Sequence, residues 1–134
     1  MKKDNSKRMT IMFHQIFYKQ RPRNENALTM LRDKKLRRGT TVWTADGHDI
    51  GNSIRLHHRQ NDVNPGLKLY ASYLELFSIL LGGATYIPTD FIRDYDPADN
   101  KLLLSVTLKD IAKETWDRTP AFIAHHQATT ETLA

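Results

Sequence analysis

The sequence predicts a mainly β protein, a small antiparallel β-barrel with one short C-terminal helix and a basic N-terminal extension that is partly helical or disordered. The first observation is the segment Thr40–Thr44, whose β-branched and aromatic residues suit a strand. The second is Asp46-Gly47, a dipeptide that readily adopts the positive φ of a hairpin turn. The third is the alternation, from Leu36 onward, of short apolar runs with turn residues. These observations place the β domain in residues 36–122.

Composition limits the classes of protein that the chain can belong to. With 134 residues, of which 40% are hydrophobic and 26% charged, it has the profile of one globular domain. No apolar run approaches the roughly 20 residues of a transmembrane helix, and residues 11–18 do not have the features of a signal peptide. The chain has no cysteine, which excludes disulfides, thiolate zinc sites and iron–sulfur clusters and fits a reducing compartment. We therefore expect a cytoplasmic protein.

Charge is distributed unevenly along the chain. Residues 1–38 contain 12 Lys and Arg against 3 acidic residues, a net charge of +9, whereas the other 96 residues carry 8 against 12, a net charge of −4. The high isoelectric point is therefore no evidence that the β domain binds nucleic acid. If the chain binds phosphates, the contacts are expected at the end of this basic stretch, at Lys34, Lys35, Arg37 and Arg38.

The N-terminal extension, residues 1–35, allows three interpretations. Its apolar cluster Ile11–Tyr18 could form a two-turn amphipathic helix, which Pro22 would end, with Asn24–Asn26 as linker. The segment is then a partly disordered tail, an ordered segment docked on the domain or on a second subunit, or an arm for phosphates or anionic lipid. A later translation start would shorten it, at Met9, Met12 or Met30.

The remaining elements follow from local signals. Gly51 inside the second strand indicates a bulge or a close backbone approach, and Pro88 must lie at a strand end or edge. Thr107 and Asp110 have the spacing of a capping box. We expect a strand at 49–58 with Ile50, Ile54 and Leu56 inward, then a loop at 59–66 and a strand within 67–76. The segment 77–84 could be a strand end or a helical turn. After it we expect a turn at 96–100, a strand at 101–106, a helix at 108–116 closed by Pro120, and a frayed tail at 123–134.

The order of these signals resembles that of the PRC-barrel superfamily. The matching features are Asp46-Gly47, Ile50-Gly51, Tyr86-Ile87-Pro88, Phe91-Ile92, a DP turn and a strand that ends in Val106-Thr107. The resemblance covers about residues 36–122 and is greatest to the short bacterial single-domain members. It implies a five- or six-stranded antiparallel barrel or half-open roll that serves as an adaptor, with no catalytic set and no cofactor. The N-terminal extension here replaces the membrane helix or second domain of the better-known members.

Few residues of the β domain suggest chemistry. His57 and His58 are adjacent on a strand, so their side chains point to opposite faces and cannot share one metal, and solvated histidines are the simpler interpretation. The second pair, His125-His126, falls in the expected tail. The acidic run that begins at Asp90 lacks the ligand order of an EF-hand, which favours a solvated turn. This run consists of Asp90, Asp94, Asp96 and Asp99.

The leading functional prediction is a non-enzymatic module that binds a protein partner or a second copy of itself through an exposed edge strand or an apolar surface. The alternative is RNA or DNA binding through the basic N-terminal extension. An enzyme is disfavoured, because no pattern supplies a nucleophile, a paired acid and base, or a metal.

Overall fold

The computed structural model describes residues 20–60 and 70–134, which form seven strands, three α-helices and one 3₁₀ turn. Their bounds are α1 Gln20–Asp33, β1 Thr41–Trp43, β2 Asp49–Arg59, β3 Ser72–Ser78, β4 Gly83–Pro88, the 3₁₀ turn Thr89–Phe91, β5 Ile92–Asp96, β6 Lys101–Leu104, α2 Leu108–Glu114, α3 Ala121–Ala124 and β7 Ala128–Thr132. None of the helices in these two ranges is long and apolar enough to cross a membrane.

The strands form one sheet in the order β4-β3-β2-β1-β6-β5, with β7 paired to β2. Strand β2 pairs with β3 along one side, and with β1 and then β7 along the other. All ladders are antiparallel except that between β1 and β6, which is parallel. The expectation of a purely antiparallel sheet is therefore wrong at this ladder. No tight turn joins β1 to β6, because the strands β2 to β5 lie between them in the chain.

The sheet is open. The strand order ends at β4 and β5, which no ladder joins, and β7, which among the described strands pairs only with β2, forms a further edge. The chain itself connects the two edges through the 3₁₀ turn Thr89–Phe91. The predicted mainly β class is confirmed, whereas closure into a barrel is not.

Helix α1 belongs to the core. Ala27, Leu28 and Leu31 are buried in the same apolar cluster as the strands. The prediction that Pro22 ends a helix and that Asn24–Asn26 is a linker is wrong, because all four residues lie within α1. Pro22 is tolerated there because the first turn of a helix leaves its amides unpaired in any case. For residues 20–35, docking on the domain is the arrangement found, whereas the apolar cluster Ile11–Tyr18 lies outside the described residues.

The inward side of the sheet supplies the rest of the core. A bulge in β2 near Ile54 buries Ser53 and leaves Ile54 only half-buried, so one of the three expected inward positions is wrong. The fully buried apolar side chains of the strands are Val42, Ile50, Leu56, Leu74, Leu76, Ile87, Tyr95, Leu102 and Leu104.

The C-terminal segment is part of the sheet. Residues 128–132 form β7 against β2, and Leu133 is buried, so the prediction of a frayed tail is wrong. The predicted capping box of α2 is confirmed, with the Thr107 hydroxyl accepting from the Asp110 amide. The helix ends at Glu114, two residues before the expected Trp116, and Pro120 is the N-cap of the one-turn helix α3.

The β1–β2 hairpin forms as predicted, although its connection is longer than a two-residue turn. The ladder stops at Trp43 and Asp49, and Gly47 takes the positive φ of 84°. Gly51 is the more constrained glycine, with a φ of 147°. A Cβ atom placed on it would lie 2.1 Å from the carbonyl oxygen of Phe77, so the expected close backbone approach is confirmed.

Gly51→Ala is expected to lower the free energy of unfolding by about 3 kcal/mol, because β2 and β3 would have to separate at this point. Gly39→Ala is the matched control, since Gly39 also has a positive φ, but nothing lies within 4 Å of its added Cβ. Its expected loss is about 1 kcal/mol, from the left-handed backbone alone. Urea denaturation measures both, and equal losses would contradict the close approach.

Candidate functional site

The residues that carry the family resemblance do not converge on one site. Asp46 and Gly47 lie in the β1–β2 turn, Ile50 and Gly51 at the start of β2, and Tyr86–Pro88 at the end of β4. The Asp46 carboxylate accepts a hydrogen bond from the Leu108 amide at 3.2 Å, which ties the turn to the start of α2. These residues form a turn, pack in the core or allow two strands to approach closely.

The four cations proposed as phosphate contacts are partly engaged within the protein. Lys34 Nζ lies 2.9 Å from Asp94 Oδ1 and 3.0 Å from the carbonyl oxygen of Tyr95. The Lys34 hydrogen bond, together with that of the Tyr95 amide, lowers the pKa of Asp94. Arg37 donates to the carbonyl oxygen of Pro97 at 3.2 Å. Only the Lys34–Asp94 ion pair offsets a charge of the basic stretch, and all four residues are exposed.

A buried polar cluster links three strands on the outer side of the sheet. His57 Nε2 donates to Glu75 Oε1 at 2.7 Å, and the Arg55 guanidinium donates to the same oxygen at 3.1 Å. The Thr130 hydroxyl lies 3.5 Å from His57 Nδ1. Residues of β2, β3 and β7 thus share one set of polar contacts.

His58 points to the opposite side of β2, as predicted for adjacent strand residues. Its Nδ1 lies 2.7 Å from the Ser72 hydroxyl, and its Nε2 donates to Glu131 at 2.8 Å. Arg32 of α1 also binds Glu131, at 3.1 Å. Burial acts to raise the pKa of Glu131, but the hydrogen bonds from His58 and Arg32 outweigh it and lower that pKa.

The interpretation of His57 and His58 as solvated is wrong. The exposed fraction of His57 is 5%, and that of Glu75 is 8%. A histidine beside a carboxylate resembles a general-base pair, but this pair is closed off from any substrate by the surrounding side chains. Among residues 20–60 and 70–134, no three His, Asp or Glu side chains group in a way that could hold a metal ion. The cluster therefore holds strands together.

Asp90 is the unusual carboxylate of the described chain. It lies in the 3₁₀ turn, only 7% exposed, and neither of its carboxylate oxygens has a hydrogen-bond partner. Burial raises its pKa to about 6, although its own amide and the charge of Arg23 act in the opposite direction. The prediction of a solvated acidic turn is wrong for Asp90, whereas Asp94, Asp96 and Asp99 are exposed.

A cavity of about 310 Å³ opens beside Asp90, between α1, the start of β5 and Ser105, the residue after β6. Its lining consists of Arg23, Asn26, Ala27, Met30, Asp90, Ile92, Arg93 and Ser105.

The β3–β4 hairpin forms an apolar tip, which we define as residues Phe77–Leu80. Phe77 is 51% exposed, Ile79 87% and Leu80 59%, and they are the large hydrophobic side chains that stand exposed in the described chain. A turn closed by Gly82, whose φ is 90°, presents them together.

Neither the burial of Asp90 nor the apolar tip was predicted from the sequence. The signal for Asp90 is a single acid inside an otherwise uncharged stretch, Leu76–Ile92. The signal for the apolar tip is Phe77–Leu81 directly before two glycines, a segment whose conformation the sequence left ambiguous.

Comparisons of the chain with protein-family models, with curated proteins and with solved structures found no match.

Glu75→Leu is expected to lower the free energy of unfolding by about 3 kcal/mol, because it leaves Arg55 and His57 without their shared acceptor. Glu114→Leu is the control, since Glu114 is an exposed acid at the end of α2, and we expect a change within about 0.5 kcal/mol. Chemical denaturation followed by tryptophan fluorescence measures both values. A loss for Glu75→Leu as small as that of the control would show that the polar cluster does not hold the strands together.

Asp90→Asn is expected to stabilise the protein at high pH. Because the folded-state pKa of Asp90 is raised from 3.8 to about 6, its favourable contribution is present at low pH and is lost as the pH rises through 6. The gain over wild type should therefore be larger by about 2 kcal/mol near pH 8 than near pH 4. Other carboxyl groups titrate in both proteins and cancel in this difference. The exposed Asp117→Asn serves as control, and a pH-independent difference for Asp90→Asn would contradict the burial of its charge.

Proposed function

We propose that the protein is a non-enzymatic, cytoplasmic adaptor of the PRC-barrel type that docks a partner protein through the apolar tip Phe77–Leu80. The observation that carries this proposal is the grouping of three exposed large hydrophobic side chains on one hairpin. Exposed large apolar side chains grouped on one element are typical of protein interaction sites, whereas single exposed apolar residues need no explanation.

The chemistry of the tip favours a protein as the partner. From Leu76 to Thr89 the chain has no Asp, Glu, Lys or Arg, so the hairpin offers no charge for phosphates. Its complement is an apolar groove with a polar rim, in which aromatic and aliphatic side chains contribute most of the affinity.

The size of the tip favours a transient contact over a stable dimer. One large side chain exposes at most roughly 250 Å², so three supply less than the ~800 Å² per partner of a stable interface. An adaptor that binds and releases its partner fits this area better than permanent self-association.

The strand edges β4 and β5 are less suitable for docking. On β4, the Tyr86 amide already donates to the Trp116 carbonyl at 2.8 Å, and Pro88 has no amide proton. On β5, Lys34 occupies the carbonyl oxygen of Tyr95, and Asp94 accepts from its amide. Because these positions are already bonded or lack a donor, of the two predicted docking modes we propose the apolar surface.

Two further features support the adaptor. The resemblance of residues 36–122 to the PRC-barrel superfamily implies such a role. The two sheet edges are consecutive in the chain and meet through the turn Thr89–Phe91, which is compatible with a roll in which that turn substitutes for the closing ladder. RNA binding has less support, because Lys34 and Arg37 have partners within the protein.

A photo-crosslinking amino acid at position 79 tests the proposal in cells. We expect a discrete crosslinked product that contains a second protein, because the Ile79 side chain points into solvent at the docking surface. The same group at Ala98, in the exposed β5–β6 turn, is the matched control and should give no discrete product.

The variant Leu80→Ser provides the specificity test, since Leu80 is exposed and its replacement should leave the melting temperature unchanged. It should abolish the product formed from position 79. Equal products from positions 79 and 98, or a product that Leu80→Ser does not reduce, would refute docking through the apolar tip.

A further inference from the structure

Strand β7 has a second side along which it can accept another strand. It pairs with β2 along one side, and within residues 20–60 and 70–134 no strand pairs with the other. The Ala134 carbonyl oxygen accepts from the Arg38 amide at 2.9 Å, so the chain is anchored again directly after β7. The unpaired edge is therefore the strand Ala128–Thr132 itself.

The hydrogen bonds around β7 show which backbone groups face this edge. The Gln60 amide donates to the Gln127 carbonyl oxygen at 3.2 Å, at the start of the ladder with β2. Because bonding alternates along an antiparallel ladder, Thr129 and Glu131 also direct their amides and carbonyl groups to β2. The backbone groups of the intervening residues point away from β2. These residues are Ala128, Thr130 and Thr132.

The edge of β7 lacks the usual features that prevent strand pairing. Edge strands are commonly protected by Lys, Pro or a bulge. The strand has no Lys and no Pro, and its register with β2 has no shift. Three of its five residues are exposed Thr, a β-branched residue that suits a strand. Unlike β4 and β5, β7 can therefore extend the sheet.

The sequence of β7 is compatible with pairing to itself. In an antiparallel arrangement with a two-fold axis at Thr130, this residue lies opposite Thr130 of the second copy. Ala128 then lies opposite Thr132, and each of these pairs exchanges two backbone hydrogen bonds. Directly opposed Thr residues are favourable cross-strand neighbours.

The charges of β7 also permit this arrangement. Glu131 lies opposite Thr129 of the second copy, so no like charges are directly opposed. The two Glu131 side chains are diagonal neighbours, but each is already compensated in its own copy. Arg32 binds Glu131 at 3.1 Å, and His58 donates to it at 2.8 Å. The side chain of Arg32 is 56% exposed, so it is also available to Glu131 of the second copy.

We propose that two copies of the chain pair through β7, antiparallel about a two-fold axis at Thr130, and form one continuous sheet. A five-residue edge covers less than the ~800 Å² per partner of a stable interface, so the dimer is reversible and depends on concentration. Strand β7 and the β3–β4 hairpin lie on opposite sides of β2. The dimer thus leaves both apolar tips accessible and gives the protein two docking sites, which increases its avidity for a multivalent partner.

Hydrogen exchange of the full-length, ¹⁵N-labelled protein tests which amides the dimer protects. We expect the outward amides of Ala128, Thr130 and Thr132 to exchange at least about tenfold more slowly at millimolar than at micromolar concentration. The amides of Thr129 and Glu131, which face β2, should exchange at the same rate at both concentrations.

Sedimentation equilibrium of two variants at Thr130 tests the register. Thr130→Pro removes an amide that faces solvent, which an edge strand tolerates, and should leave the protein monomeric. Thr130→Val, the matched control, keeps the amide and should dimerise as wild type does. Leu80→Ser should also dimerise as wild type does, because the apolar tip is not part of this interface.

The proposal is overturned if the wild-type protein is a monomer at millimolar concentration, or if the outward amides gain no protection. It is also overturned if Thr130→Pro dimerises as wild type does, or if Leu80→Ser abolishes the dimer, since the tip would then be the interface. If Thr130→Pro does not fold, the hydrogen exchange of the wild-type protein decides.

Discussion

Strand β2 is the element on which the rest of the structure depends. It pairs with β3 along one side and with β1 and β7 along the other, so one strand fixes three others, of which β7 is distant in sequence. Its side chains add a polar set of contacts to each face, to Glu75 on one side and to Glu131 on the other. The apolar hairpin tip is held through β3, and the C-terminal segment through β7. The positions of the apolar tip and of the C-terminal segment therefore both depend on β2.

The two buried acids of the described residues, Glu75 and Asp90, differ in whether they have hydrogen-bond donors. Glu75 receives donors from Arg55 and His57, so its burial stabilises the strands that it joins. Asp90 is as deeply buried and has no donor, so its ionised form works against folding. Glu75 is therefore a buried acid that the fold accommodates, whereas Asp90 is one that the fold tolerates at the expense of stability above pH 6.

The sequence was sufficient to predict elements that are specified by residues close to one another in the chain. The strand at Asp49–Arg59 and the capping box of Thr107 and Asp110 were predicted because alternation and capping are visible within a few residues. The interior of α1 was missed because its polar segment Asn24–Asn26 resembles a linker, and only the distant Thr89 hydroxyl, which donates to the Asn24 side chain, gives it a buried role. Strand β7 is similarly polar, and the partner that makes it a strand lies about 70 residues earlier. Asp90 lies in the turn Thr89–Phe91, where the chain passes from one edge of the sheet to the other, and no local sequence pattern indicates this passage.

Hydrogen exchange under native conditions tests the central role of β2 most directly. If β2 holds β3 and β7 as one unit, the hydrogen-bonded amides of all three strands should exchange with the same opening free energy, equal to that of global unfolding. The comparison of His58 in β2 with Thr129 in β7 is decisive, because these residues pair directly. Exchange of Thr129 and Glu131 at the rate of an unstructured peptide, while β2 remains protected, would contradict this account.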